Sequence, residues 1–157
     1  MKDDDVLTCS ATCQLNEDGT FAIRSEGRPQ IPADAPPEFG GRAGTWCPAQ
    51  LLLGALESCT MLTFMKLADK KGLPVKSYKI SGSCNARMEG GKVEIENIDL
   101  LIEVSLPNEG FKDLAGECFD AAEAGCPIRK ALSCTVTSAF VMTFENRPSC
   151  KCCGDAD

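Results

Sequence analysis

The chain has 157 residues, a length that fits one domain with a sizeable core. It contains no histidine, which excludes Ser-His-Asp and Cys-His catalysis, histidine acid–base chemistry and histidine metal ligation. The formal net charge of −7 makes nucleic acid and anionic membrane surfaces poor partners, because like charges repel.

Eleven cysteines set the chemical character of the chain. The first residues lack the apolar segment of a signal peptide, and no apolar run approaches the roughly 18–20 residues of a membrane span. We therefore expect a cytoplasmic protein, in which thiols stay reduced. An odd number of cysteines in that compartment indicates redox chemistry or metal binding and not a framework of disulfides.

The first third of the chain is predicted to form a hairpin and a long loop. Residues 6–15 alternate and reach a turn at Asp18-Gly19, after which residues 20–25 form the second strand. Residues 26–45 are rich in proline and glycine. We expect this segment to lack regular structure, and long loops in compact domains tend to be functional.

Residues 48–71 are predicted to form a long helix. Pro48 suits a first turn, apolar residues recur at helical spacing, and lysines crowd the last turn before Gly72. The helix is apolar on nearly all sides from Leu51 to Met65. We therefore expect it to be central and buried.

Two long strands are predicted next, over residues 75–88 and 92–106, joined at Gly90-Gly91. In the second strand the apolar residues change from odd positions, such as Ile95, to even ones. A side-chain period of two cannot change parity without an inserted residue, so we predict a β-bulge near Asn97.

The remaining elements are a helix over residues 111–124 that ends at Gly125, a short helix over residues 127–133 and a strand over residues 135–145. Strands and helices do not strictly alternate along the chain. This order favours an α+β fold in which an antiparallel sheet packs around the long central helix.

Cys126 lies where the second helix is predicted to end and the third to begin. Gly125 ends the one and Pro127 marks the first position of the other, so Cys126 is the predicted N-cap. Unpaired backbone N–H groups and the positive end of a helix favour a thiolate there. The alternative is a small residue that the cap position merely tolerates.

Cys59 lies in the middle of the long helix among apolar residues. Taken alone, such a cysteine is typically an inert core thiol. No helix end can activate it, so a reactive Cys59 requires a cation from elsewhere in the chain. The candidates are Arg42 in the glycine-rich loop and Arg24, Arg28 and Arg129.

The other cysteines have weaker chemical signals. Buried structural thiols are the default inside predicted strands and helices, which is the expectation for Cys9, Cys13, Cys84, Cys118 and Cys134. Cys47, at the start of the long helix, is ambiguous.

Residues 149–157 form a separate predicted tail with Cys150, Cys152 and Cys153. The tail lacks the C-x-x-C spacing of a zinc site, so we predict no metal there and favour a redox cluster or incidental thiols. No glycine-rich phosphate fingerprint follows a strand, and we expect no bound cofactor.

Two segments resemble the OsmC/Ohr family (osmotically inducible protein C and organic hydroperoxide resistance protein). They are residues 39–60, which include FGGRAGTWCP and LLLGALESCT, and residues 126–132, CPIRKAL. The resemblance covers nearly the whole chain, and we assign residues 1–148 to one OsmC-like domain. It implies an OsmC-like α+β fold and an intertwined homodimer, with two central helices wrapped by sheets and active sites at the subunit interface.

The resemblance further implies a thiol peroxidase whose substrate is an organic hydroperoxide and whose final reductant is a dithiol. Cys59 would be the peroxidatic thiol, and its sulfenic acid would condense with the resolving Cys126 to a disulfide. The family uses arginine and a carboxylate to poise the thiolate. Arg42 and Arg24 are the candidates for that arginine here.

The sequence departs from the peroxidases of the family at Ala49, where those proteins carry the acidic residue that pairs with the activating arginine. Glu57 is predicted to point to a different side of the helix. The chain therefore resembles the broader OsmC-like branch. The alternative function is a thiol-rich protein that binds a soft metal or a small hydrophobic ligand without peroxidase activity, and a third interpretation is a folded dimer whose thiols are only buried.

Overall fold

The computed structural model describes residues 6–145, and the chain divides after Leu52 into two compact units. The first unit holds an antiparallel sheet of β1 (Thr12–Leu15), β2 (Phe21–Arg24) and β3 (Ile31–Ala33), in the order β1-β2-β3. The predicted hairpin is present with shorter strands. The predicted tail at residues 149–157 lies outside the described residues.

The expectation that residues 26–45 lack regular structure is wrong for β3 and for a short 3₁₀ helix, Pro37–Phe39. A proline within a strand argues against a central position, but β3 is an edge strand, where the missing N–H of Pro32 costs little. In the same segment, position 41 requires glycine for a steric reason. A side chain there would overlap the carbonyl group of Ala35.

The second unit holds a sheet of β4 (Ser77–Glu89), β5 (Lys92–Leu106) and β6 (Thr135–Phe144), in the order β4-β5-β6. The connection from β5 to β6 runs through two helices, α2 (Lys112–Gly125) and α3 (Pro127–Ala131). The strands pair antiparallel between β4 and β5 but parallel between β5 and β6. The expectation of a purely antiparallel sheet is therefore wrong, because a crossover through helices returns the chain in the same direction.

The predicted β-bulge is confirmed in β5. Asn85 pairs with Asn97, whereas the next residue of β4, Ala86, pairs with Ile95. Glu96 is therefore the inserted residue, and it restores the inward direction of the apolar side chains that follow.

The long helix α1 (Pro48–Lys71) packs on one side only. Its buried residues are Leu56, Thr60, Phe64 and Ala68, whereas Leu62 is 70% exposed. The expectation of a buried central helix is therefore not met within one chain. Met65 is also exposed among the described residues, at 39%, and other apolar residues of α1 are only partly buried.

The packed side of α1 contacts the sheet through aromatic rings and a glycine. The ring of Phe64 lies 5.1 Å from that of Tyr78 and 6.1 Å from that of Phe140. A Cβ atom at Gly82 would lie 2.7 Å from a carboxylate oxygen of Glu57. Glycine at this position of β4 thus permits the close approach of α1.

The same helix is long and apolar enough to cross a membrane by length and composition, with a mean hydropathy of 1.4 over its most apolar window. This corrects the expectation that no segment approaches such a length. Core helices of soluble proteins pass the same test. The feature is therefore weak support for a membrane location.

Candidate active site

Cys126 occupies the junction between α2 and α3. Its backbone is extended (φ −70°, ψ 112°), and its sulfur accepts a hydrogen bond from the backbone N–H of Arg129 at 3.4 Å. The predicted N-cap is confirmed. Because α3 has only five residues, its macrodipole is small, and the local N–H groups carry the electrostatic effect.

Cys59 of α1 lies against this junction. Its thiol interacts with the thiol of Cys126 so that each affects the pKa of the other, and the backbone N–H of Ile128 favours ionisation of both sulfurs. Cys59 is partly exposed, whereas Cys126 is fully buried. The fold thus brings together the two cysteines that the sequence singles out, and leaves one of them within reach of a solute.

Thr60 is a further member of the site that the sequence reasoning missed. It is fully buried, and its hydroxyl lies 2.9 Å from the carbonyl oxygen of Leu56 and 3.8 Å from the sulfur of Cys126. The available signal was its place directly after Cys59, as a polar residue on the otherwise apolar side of a helix.

The surroundings of Cys59 and Cys126 shift the pKa values of their thiols in opposite directions. Burial raises the pKa of Cys59, and contact with the Cys126 sulfur raises it further. Burial also opposes ionisation of Cys126, but hydrogen bonds from the Arg129 N–H, from Cys59 and from Thr60 prevail and lower its pKa. The negative charge of the singly ionised pair therefore lies on Cys126 and the remaining proton on Cys59.

The side chain of Arg129 ties α3 to its neighbours. Its guanidinium group lies 2.8 Å from a carboxylate oxygen of Glu123 in α2, 3.1 Å from the hydroxyl of Ser138 and 2.7 Å from the carbonyl oxygen of Val136 in β6. The hydroxyl of Ser138 donates to Glu123 at 2.5 Å. The sequence gives no signal for Glu123 or Ser138, because only the fold brings β6 beside the end of α2.

Arg42 lies in the first unit and bonds to residues of its own unit. Its guanidinium group forms an ion pair with Asp18 at 2.9 Å and also donates to the Asp18 carbonyl group. Hydrogen bonds from Thr20, together with Arg42, lower the pKa of Asp18 to about 2. A role for Arg42 beside Cys59 remains a prediction.

Arg24 also makes its contacts within the first unit. Its side chain donates to Gln30 at 3.2 Å and to Gln14 at 2.7 Å. Both partners are neutral amides, so the charge of Arg24 is not compensated by these bonds. Its assignment to the site, like that of Arg42, rests on the resemblance.

The remaining described cysteines are free thiols. The expectation of burial holds for Cys118 but is wrong for Cys9 and Cys13, which are exposed. Cys13 lies in the edge strand β1, every residue of which is exposed, and Cys9 precedes this strand. Cys47, Cys84 and Cys134 are partly exposed.

Across residues 6–145, no cluster of three or more histidine, cysteine, aspartate or glutamate side chains could hold a metal ion. The three tail residues Cys150, Cys152 and Cys153 lie outside the described residues.

Comparison with known proteins shows which family the chain matches. A family model described as OsmC-like protein matches residues 41–140, a span that includes both site cysteines. A comparison with curated proteins gives no match.

Similar solved structures include an OsmC-like protein from Mycoplasma pneumoniae, with a TM-score of 0.74 and 22% identity over 87% of this chain and 97% of that one. An organic hydroperoxide resistance protein OsmC from Legionella pneumophila has a TM-score of 0.69 and 16% identity, over 89% and 99% of the two chains. The organic hydroperoxide resistance protein OhrB of Bacillus subtilis has a TM-score of 0.62 and 19% identity, over 87% and 98%. Likeness at these identities shows a shared fold.

Proposed function

The chain belongs to the OsmC-like protein family, and we propose that it is a cysteine-based thiol peroxidase that reduces organic hydroperoxides. Proteins that share its fold include two named for organic hydroperoxide resistance. The observation that carries the proposal is the pairing of a partly exposed Cys59 with a buried Cys126, whose thiols interact strongly enough to shift each other's pKa. Such a pair can pass two electrons to a hydroperoxide and close to a disulfide.

The first step takes place at Cys59, because it is the more exposed of the two thiols. Cys59 loses its proton, and its thiolate attacks the terminal oxygen of the hydroperoxide. The O–O bond breaks, the leaving alkoxide takes up a proton to become an alcohol, and Cys59 becomes a sulfenic acid. The raised pKa of Cys59 limits the fraction of thiolate available for this step.

The second step uses Cys126, whose lowered pKa increases the fraction of its thiol that is ionised. Its thiolate attacks the sulfur of the Cys59 sulfenic acid, the S–O bond breaks, and the departing hydroxide takes up a proton to become water. The hydroperoxide is then fully reduced and the two thiols are joined. A dithiol reductant returns the pair to its starting state by thiol–disulfide exchange and is itself oxidised to a disulfide.

This mechanism needs no histidine, metal or bound cofactor from the chain. In the described site the backbone N–H groups of Ile128 and Arg129 stabilise the Cys126 thiolate, and that of Ile128 also stabilises the Cys59 thiolate. Arg42 or Arg24 would supply the positive charge that the resemblance implies beside Cys59. Ala49 stands at the position where the peroxidases of the family carry the carboxylate that pairs with this arginine. We therefore expect a slower first step than in family members that carry the carboxylate.

The deciding experiment is a rapid titration of the reduced protein with cumene hydroperoxide, followed by mapping of disulfides by mass spectrometry. We expect stoichiometric oxidation with a Cys59–Cys126 bond that is lost in Cys59→Ser. Cys118→Ser is the matched control, since Cys118 is a buried helix thiol that takes no part in the pair. Slow oxidation spread over many thiols, unchanged in Cys59→Ser, would reject the proposal.

We further propose that the working form is a cytoplasmic homodimer. The support is the uncovered apolar surface of α1, where Leu62 is 70% and Met65 39% exposed. A contiguous apolar surface on a helix marks an interaction site more often than a free face. A second copy of the chain would cover this surface.

A further inference from the structure

Arg129 contributes to the site twice, through its backbone and through its side chain. Its backbone N–H bonds to the sulfur of Cys126, and its guanidinium group bonds to α2 and β6. We propose that the Glu123–Arg129–Ser138 network is a positioning device that holds the backbone N–H groups of α3 against the Cys59–Cys126 dithiol. The catalytic consequence rests on the proposed function, but the effect on the thiol does not.

The first turn of α3 needs such an anchor because the helix is short. A five-residue helix has little stability of its own, since the first turn costs more than one hydrogen bond returns. The guanidinium group fastens this turn to two other elements, through Glu123 of α2 and Ser138 of β6. Both charged side chains are mostly buried, at 19% and 24% exposure, which strengthens their attraction.

The placement of Glu123 supports a positioning role. It lies in the last turn of α2, where a negative charge is unfavourable because it meets the negative end of the helix dipole. The partners that stabilise it are Arg129 and the hydroxyl of Ser138. The charges of the pair cancel, so the network acts on Cys126 through the location of the N–H groups and not through a net field.

The test therefore uses variants that leave the net charge of the Glu123–Arg129–Ser138 network unchanged. In Arg129→Lys a single ammonium group cannot reach Glu123, Ser138 and Val136 at once. In Ser138→Ala the hydroxyl between the two charged groups is lost. Arg87→Lys is the matched control, because Arg87 forms an ion pair with Glu96 at 2.6 Å on the β4–β5 hairpin.

The readout is the pKa of Cys126, measured from the pH dependence of its ¹³Cβ chemical shift in a Cys59→Ser background labelled at cysteine. Cys126→Ser assigns the resonance. We expect the acid dissociation constant of Cys126 to fall about threefold or more in Arg129→Lys and Ser138→Ala. Backbone N–H groups that are displaced from the Cys126 sulfur no longer stabilise its thiolate. Arg87→Lys should leave it unchanged.

An unchanged dissociation constant in folded Ser138→Ala and Arg129→Lys overturns the positioning role, as does an equal change in Arg87→Lys. Ser138→Ala decides the matter alone if Arg129→Lys does not fold. No hydroperoxide enters the measurement. A shift in Cys126 together with unselective oxidation of the natural sequence would therefore reject the peroxidase and retain the positioning role.

Discussion

The hydroxyl of Thr60 lies 3.8 Å from the sulfur of Cys126, although the two residues are 66 positions apart in the chain. The same hydroxyl lies 2.9 Å from the carbonyl oxygen of Leu56. It has one proton and can serve only one of these partners at a time. Ionisation of Cys126 makes its sulfur the stronger acceptor, so the hydroxyl turns toward it as the thiolate forms.

Thr60→Val is therefore expected to raise the pKa of Cys126, because the hydrogen bond that lowers it is lost. Below that pKa a smaller fraction of Cys126 is ionised, and disulfide closure slows by up to about tenfold, the effect of one pKa unit. Valine keeps the shape and the branching of threonine. Stopped-flow measurement of closure as a function of pH tests this, and the difference should vanish at pH values above both pKa values.

Thr63→Val is the control for this substitution. Thr63 lies one turn further along α1 and donates to the carbonyl oxygen of Cys59 at 2.8 Å. It lowers the pKa of the other thiol, Cys59, and is not among the groups that lower the pKa of Cys126. Equal slowing of closure in Thr63→Val and Thr60→Val would show that the effect comes from α1 itself and not from the Thr60 hydroxyl.

Removal of Cys126 should speed the oxidation of Cys59 to a sulfenic acid and abolish closure of the disulfide. Contact with the Cys126 sulfur raises the pKa of Cys59, so Cys126→Ser lowers it. A lower pKa means more Cys59 thiolate at neutral pH, and the rate gain is about tenfold for each pKa unit if reactivity follows the thiolate fraction. Trapping of the sulfenic acid over a range of pH values measures this. A rate below that of the natural sequence at neutral pH contradicts the proposed order of the two pKa values.

Gly82 should tolerate no side chain without a loss of stability. A Cβ atom there would lie 2.7 Å from a carboxylate oxygen of Glu57 and 2.9 Å from a methyl carbon of Leu100, so Gly82→Ala requires these side chains to shift. We expect a loss of about 1–3 kcal/mol in the free energy of unfolding, as for other overpacked sites. Denaturant unfolding measures it. Gly116→Ala is the control, because a Cβ in that helical position meets open space and should stabilise the protein by up to about 1 kcal/mol.

Tyr78 carries a buried hydroxyl that has no hydrogen-bond partner in the part of the chain that the structure describes. Burial, with a contribution from the charge of Glu123, raises the pKa of this hydroxyl to about 12. Tyr78→Phe keeps the ring contact with Phe64 and removes the desolvated group. We expect the free energy of unfolding to rise by about 1 kcal/mol. A loss of similar size would show that the hydroxyl has a bonding partner in solution.

The features that the sequence predicts correctly are those with a local cause. The parity change in β5 requires an inserted residue, and the structure places it at Glu96. The run from Gly125 to Pro127 requires a helix junction, and Cys126 caps it. Both follow from neighbours in the chain, so residues far away could not alter them.

The features that the sequence predicts wrongly or omits depend on contacts between distant segments. The parallel direction of β6 was indicated by the helices between β5 and β6, but alternation within a strand does not reveal it. Glu123 and Ser138 meet only because β6 returns beside α2. The burial of α1 was inferred from its composition, which cannot distinguish a core within one chain from a surface that needs a partner.

A substitution at Leu62 tests whether the exposed side of α1 is covered by a second copy of the chain. It is 70% exposed in the single chain, so Leu62→Arg costs a monomer almost nothing. In a dimer built on α1 the same change buries an unpaired charge, which is strongly unfavourable. We expect Leu62→Arg to weaken dimerisation by a hundredfold or more, on the order of 3 kcal/mol, as measured by sedimentation equilibrium. Leu101→Arg is the matched control, since Leu101 is 41% exposed on β5 and lies outside the proposed interface. A protein that stays dimeric with Leu62→Arg, or is monomeric without it, removes α1 as the dimer interface.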